Sequence, residues 1–400
     1  MMKVATTIKN TQAMIIIWLG YFLFISTGSC SAQALEAKQT EFMWWEELLH
    51  PEPFYSELSI TFSGDFMQHL PQIIAAQTAD GGYDYNSSLE HMRNFFNSAD
   101  YSLINLETTL SPSPPYRGYP CFVAPTQVAS ALKDAGIDIV ALANNHSCDN
   151  GYKGIISTTE IIDSLELMRI GVYRDSADYH KNNIAIIQKG GIKLALLNYT
   201  YGTNGLPIPS KTIVNLIDTV KISHDIGAAK RRGATDIALI VHWGYEYHTT
   251  PNNEQKKLAQ WALSNGVNMV IGSHPHVIQP IEIERDSLSN IQNIVVYSMG
   301  NFVSNQREVN CDGGMSFRIE LSKWKGHPTT YQNPSYLPHW VLIDYRNGKK
   351  HYSTLPQYIG DTMHMSAQNR SMYNTFIDNA HKIIKPDSLL KSFTINTNEY

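Results

Sequence analysis

Cysteine is scarce in this chain: 400 residues carry four. Cys30 lies in the N-terminal leader, and Cys121, Cys148 and Cys311 are odd in number and widely spaced. That argues against a disulfide framework and against a thiolate-based zinc site. Charge is also thin, at 17% Asp, Glu, Lys and Arg with a formal net of −5, so the basic excess of a nucleic-acid binder is missing. No low-complexity linker splits the body, and no fixed-period repeat runs through it. The apolar run at 14–25 is too short to span a membrane as a helix.

What is present is an ordinary globular composition, 43% hydrophobic, behind a distinctive start. Lys3 and Lys9 precede the apolar run and small residues follow it, which is the pattern of an export signal. Its exit has two readings. Ala32-Gln33-Ala34 is an ordinary cleavage site, whereas Thr27-Gly28-Ser29-Cys30 resembles a lipobox that would leave a lipidated Cys30. The mature chain is expected to begin at Cys30 or Leu35, exported and either periplasmic or lipid-anchored to the membrane. Four regions follow: a signal at 1–34, a polar-aromatic lead-in at 35–56 that packs a short helix, a main domain at 57–360, and a C-terminal helical segment at 361–400.

Strand patterns alternate with helical ones through the main domain, which predicts an α/β fold. Strands over 58–62, 101–106, 137–143, 237–241 and from 267 end respectively at Gly64-Asp65, Glu107, Asn144-Asn145-His146, His242 and His274-Pro275-His276. Helices over 126–135 and 252–264 close on Gly136 and Gly266, the usual residue just past a helix end. The stretch 315–357 alternates like an antiparallel edge region, and 366–384 reads as an amphipathic helix. In open α/β sheets the carboxyl edge is where the crevice lies, so residues two hundred positions apart can meet there.

Each piece alone has a plain alternative. Gly64-Asp65 can be a turn, and Glu107 a salt-bridge partner. Asn145-His146 can cap the next segment. His69, four after Asp65, shares its face only if the chain turns helical. The His-Pro-His segment is the least ordinary, because Pro275 restrains both flanking residues and buried imidazoles need partners for both nitrogens. Together, Asp, Glu, Asn and His without cysteine form an oxygen and nitrogen donor set that suits Mn, Fe or Zn. There are more candidates than one tetrahedral ion uses, so a pair of divalent ions about 3.5–4 Å apart accommodates them better.

In this order the residues resemble the CapA family, associated with poly-γ-glutamate capsule synthesis and a branch of the calcineurin-like metallophosphoesterases. The matching segments are Ser63-Gly64-Asp65-Phe66-Met67-Gln68-His69, Asn105-Leu106-Glu107, Ala143-Asn144-Asn145-His146, His242-Trp243-Gly244-Tyr245-Glu246, Gly272-Ser273-His274-Pro275-His276 and Gly300-Asn301-Phe302. The resemblance implies a four-layer α/β/β/α metallophosphoesterase-like sandwich with a dinuclear metal centre. It implies metal ligation by Asp65, His69, Glu107, Asn145, His242, His274 and His276. It casts His146 as the group that protonates the leaving group and Asp149 as its orienter. The family pattern has Asp-x-His first, so His69 is displaced by two positions, and Glu107 stands where a bridging aspartate is usual. The implied function is a metal-dependent hydrolase-like step in capsule or envelope polymer production. Its substrate would be an anionic γ-glutamyl polymer or a phosphorylated envelope precursor, with no nucleic acid involved. The alternative is a non-catalytic polymer-binding or export subunit of a membrane-bound synthesis complex.

Overall fold

A computed structural model describes residues 53–346, 348–385 and 390–394. The expected export signal, its cleavage sites and the lead-in up to residue 52 lie outside the described residues.

Strand β1 (Tyr55–Phe66) is the spine of the body. Beside it run β2 (Tyr101–Leu106), β3 (Ile139–Ala141) and β4 (Met168–Ile170), all parallel and ordered β4-β3-β2-β1. A second parallel set comprises β6 (Ile192–Thr200), β7 (Asp236–His242), β8 (Met269–Ser273) and β9 (Ile291–Val296), in the order β9-β8-β7-β6, and the antiparallel β5 (Ala185–Lys189) borders it. Short β10 (Asn301–Val303) pairs with the end of β1. Then β11 (Gly313–Trp324), β12 (Thr330–Arg346) and β13 (Lys349–Pro356) run as an antiparallel meander. The alternation near 315–357 predicts an edge region. The meander is antiparallel, but β11 hydrogen-bonds to β1 on one side and β12 on the other, and β12 meets β9 at Tyr331 and Ile291. It therefore joins the two halves instead of ending one.

The burial pattern shows why the halves stack. Phe62, Leu103 and Ile139 from one half share a single apolar cluster with Leu196, Ile240 and Ile271 from the other. Alternate residues on the same strands face outward, as the period of two requires. Ile104 and Val140 meet helices α2 (Gln127–Ala135) and α3 (Gly151–Ser164), which follow a short α1 (Leu70–Ala76). Leu239 and Val241 meet α4 (Thr219–Arg231) and α5 (Asn253–Ser264). The layers are α/β/β/α. Each Leu or Ile sealed this way contributes roughly 1.5–3 kcal/mol relative to exposure. Helix α6 (Ala367–Ile384) sets Tyr373, Phe376 and Ile377 against the meander's Trp340.

Strand β1 continues to Phe66, past the Phe62 where the sequence suggests a stop. Ser63-Gly64 looks like a turn, but glycine is there for close approach: a Cβ on Gly64 would lie 2.0 Å from the Gly300 carbonyl oxygen. Removing that clash lets Asp65 N–H donate to Gly300 O at 3.0 Å, which holds β10 alongside β1. Asp65 is thus a strand residue, and α1 begins only at Leu70 with His69 as its N-cap. Asp65 and His69 share no helical face.

Candidate metal centre

All the strand-end groups arrive at one edge. Asp65 is fully buried and accepts from Asn105 Nδ2 at 2.8 Å and from the backbone N–H of His274 at 3.3 Å. Glu107 follows β2 directly, its N–H bonded to Phe66 O at 3.0 Å. After β3, a tight turn carries Asn145 and His146; Asn144 braces it by accepting from His146 N–H at 3.1 Å and donating to Leu106 O at 2.8 Å. His242 ends β7, and its Nδ1 meets Ser273 Oγ at 3.0 Å. His274 and His276 follow β8. Both have left-handed backbone, with φ of 100° and 59°. Proline at 275 favours extended geometry in its predecessor, so the observed His274 angle runs against the local preference. Such non-glycine strain costs of order 1–3 kcal/mol per residue and persists where surrounding structure enforces it, commonly at functional sites.

Three sets of side chains bring one donor atom each to within 4.8 Å of one another: Asp65, Glu107 and His276; Glu107, His242 and His274; and Glu246, His274 and His276. Glu107 belongs to the first two. Its carboxylate lies 3.5 Å from His242 Nε2 and 4.0 Å from His276 Nε2. The residues fit a cation on their own chemistry. Among the described residues, the fully buried Glu107 has no donor in hydrogen-bond geometry to either oxygen, and the buried His274 Nδ1 is likewise without a hydrogen-bond partner. Burial first, and the nearby Asp65 charge next, push the Glu107 pKa well above the usual carboxylate range. A divalent ion is the kind of charge that reverses such a penalty. Burial also lowers His242 well below the ordinary imidazole value and His274 to about 3, so both are neutral, as metal ligation requires. Asn145 Oδ1 lies 2.8 Å from His242 Nε2. That is close to the ~3 Å between two donors sharing one ion at ~2.1 Å.

His146 holds the next position out. Its Nδ1 bonds to Asp149 Oδ2 at 2.7 Å, and its Nε2 is 4.0 Å from Glu107 Oε1. Asp149 also accepts from Phe122 N–H at 2.5 Å, and the Phe122 ring stands edge-on to His146 at 4.6 Å. His69 is the displaced member. It lies in none of the three donor sets; its Nδ1 sits 3.2 Å from Gln72 Oε1, and its ring stands edge-on to Phe122 at 5.1 Å. Burial lowers its pKa to about 4.

Other residues meet at the site without ending an apolar strand, Asn301 and Glu246 from inside the matching segments and three tyrosines from outside them. Asn301 Oδ1 lies 3.0 Å from His276 Nδ1. Tyr201 stacks 4.6 Å from His274 while remaining half-exposed, and Tyr119 and Tyr247 stand exposed near Phe122 and His276. Glu246 is exposed yet reaches the two histidines.

Two facing halves of one sheet, outer helices and a buried carboxylate shared by two histidine-containing donor sets define the class: an α/β/β/α sandwich with a candidate metal centre at its strand ends. Within that class the chain belongs to the family of the bacterial capsule synthesis protein PGA_cap, whose family model matches residues 59–306. It is 28% identical over 262 residues to the capsule biosynthesis protein CapA of Bacillus anthracis, covering 62% of this chain and 60% of that protein. It is 27% identical over 272 residues to the PGA biosynthesis protein CapA of Bacillus subtilis, covering 66% and 69%. The match thus spans less than two thirds of the B. anthracis relative. Among solved structures, the Haemophilus influenzae NAD nucleotidase is similar at 11% identity and a TM-score of 0.45, covering 85% of this chain and 58% of that one. A 5'-nucleotidase from Candida albicans reaches 0.39 at 12% identity, covering 82% and 58%. Likeness at that level carries no argument about function.

Proposed function

We propose that this chain is an exported, metal-dependent hydrolase-like protein of capsule or envelope polymer production, acting on a γ-glutamyl amide or a phosphoester bond. The observation that carries this reading is Glu107, a buried carboxylate with neither oxygen hydrogen-bonded among the described residues and common to two donor sets. Asp65, Glu107 and His276 would hold one divalent ion, Mn, Fe or Zn, and Glu107, Asn145, His242 and His274 a second. When bound, such a pair supplies Lewis-acid polarisation of the scissile group and activation of water near neutral pH.

The chain's own residues supply the rest. His146 is held in one orientation by Asp149 and directs Nε2 into the site, where it can protonate the departing amine or alkoxide. Phe122 closes one side of that imidazole against water. Family membership supports the polymer context, since two of the relatives named above are capsule or PGA biosynthesis proteins. An anionic polymer or phosphorylated precursor is then the partner at the site, and a membrane-bound synthesis complex the setting. The test is a turnover screen of the metal-loaded protein over phosphoesters and γ-glutamyl peptides, where cleavage of either class supports the reading.

One observation favours a second reading, a polymer-binding or export subunit without turnover: His69 stands outside every donor set with its Nδ1 engaged. Full metal occupancy with no cleavage of any substrate would establish it over the first.

A further inference from the structure

The loop after β7 carries a carboxylate that the strand-end pattern does not include. We infer that Glu246 is the solvent-side ligand of the metal centre, standing in for His69. The inference rests on the metal-centre reading above and extends it to a residue on a different loop.

The loop is built to present this side chain. Trp243 anchors it by donating Nε1–H to Tyr297 O at 2.8 Å. Gly244 then turns with φ of 94°, against Gln255, where a Cβ would come within 2.7 Å of that side chain. Tyr247 has φ of 67° and donates its N–H to Pro275 O at 2.8 Å. That bond fastens the loop to the proline between the two ligand histidines. His248 Nδ1 donates to Glu246 O at 2.8 Å, and Gln279 Nε2 to His248 O at 2.7 Å. The backbone on both sides of Glu246 is therefore fixed, although the residue itself is exposed.

Its carboxylate lies within 4.8 Å of donor nitrogens of both His274 and His276. Glu107, which is buried, shares a donor set with each of the same histidines, so a buried and an exposed carboxylate both reach the imidazole pair. The buried Nδ1 of His274, unpartnered among the described residues, is independent of the loop and points to a ligand there. On the loop, the Tyr247 phenol accepts from Gln306 Nε2 at 3.3 Å, so the residue after Glu246 is held by its side chain as well as by its backbone.

His69 is in none of the donor sets, and its Nδ1 is engaged by Gln72 and by the N–H of Asn305. Glu246 thus adds a hard oxygen donor beside the His274 and His276 imidazoles on the solvent side of the centre.

The experiment titrates Mn(II) into the metal-free full-length protein by calorimetry, with bound metal counted by elemental analysis. Glu246→Gln is expected to weaken one binding step by at least about tenfold, and Glu246→Asp to recover part of the loss. His69→Ala is expected to bind as the parent does. Melting of the metal-free Glu246→Gln form should match the parent, which separates a lost ligand from a damaged fold. Parental Mn(II) affinity in Glu246→Gln, or a loss confined to His69→Ala, overturns the assignment while leaving the metal centre standing. A parent that binds no Mn(II) overturns both.

Discussion

At the residue scale, the site divides into groups that hold charge and one that moves a proton. A general acid typically contributes ~10²–10⁴-fold in rate, whereas losing a ligand removes the ion. His146→Ala should therefore keep parental metal content and melting temperature yet lose about that factor in turnover, and Asp149→Asn should lose less. Metal content, melting and turnover measured on the same preparations check this; a stability loss with unchanged rate per folded molecule would instead make the His146–Asp149 bond structural. Most of these residues were legible because each sits where an apolar run stops, and a polar residue there must reach either solvent or a site. Glu246 was not legible in that way, since it lies four residues past its strand and only the loop's fastening to Pro275 turns it inward. His69 misled for the opposite reason: its spacing from Asp65 suggests a shared face, but the strand runs on to Phe66.

Elements set how tightly those residues are held. Gly64 lets β1 approach Gly300 with nothing between, and a methyl at 2.0 Å from a backbone oxygen has no rotamer to escape into. Gly64→Ala should cost about 1–3 kcal/mol or more, and it should also lower metal affinity, because Asp65 shifts with the strand. Chemical denaturation and metal titration of one variant test both halves. Strand β12 carries a pH-sensitive group far from the ligands in sequence. His339 is fully buried against Phe302, and burial holds its pKa down to about 3. The unfolded chain protonates this group near 6.5, so between those values it binds the extra proton. Stability present above about pH 6.5 is then lost as pH falls toward 3. Between pH 6.5 and 4.5, His339→Leu should lose about 2–3 kcal/mol less than the parent, read from urea midpoints at the two values. Helix and strand order was readable from alternation and glycine stops. The place of the meander was not, because pairing across the sheet leaves no local pattern and an interior antiparallel strand reads like an edge one.

For the whole molecule, the two halves of the sheet make one body whose open edge carries the candidate metal centre, so binding of an ion there would be coupled to folding. A saturating metal at a hundredfold its dissociation constant adds about 2.7 kcal/mol to the folded state. The proposal of export predicts a mature N-terminus at Cys30 or Leu35; mass spectrometry of the purified native protein checks this, and an intact Met1 would contradict both cleavage readings. The central claim is that one buried carboxylate serves two metal positions. It is tested most directly by counting bound metal per chain in the parent and in Glu107→Gln after identical reconstitution. The account predicts one or two divalent ions in the parent and a loss from every occupied position in the variant, since Glu107 is common to both donor sets. A metal-free parent, or a Glu107→Gln protein holding the parental complement, would contradict it.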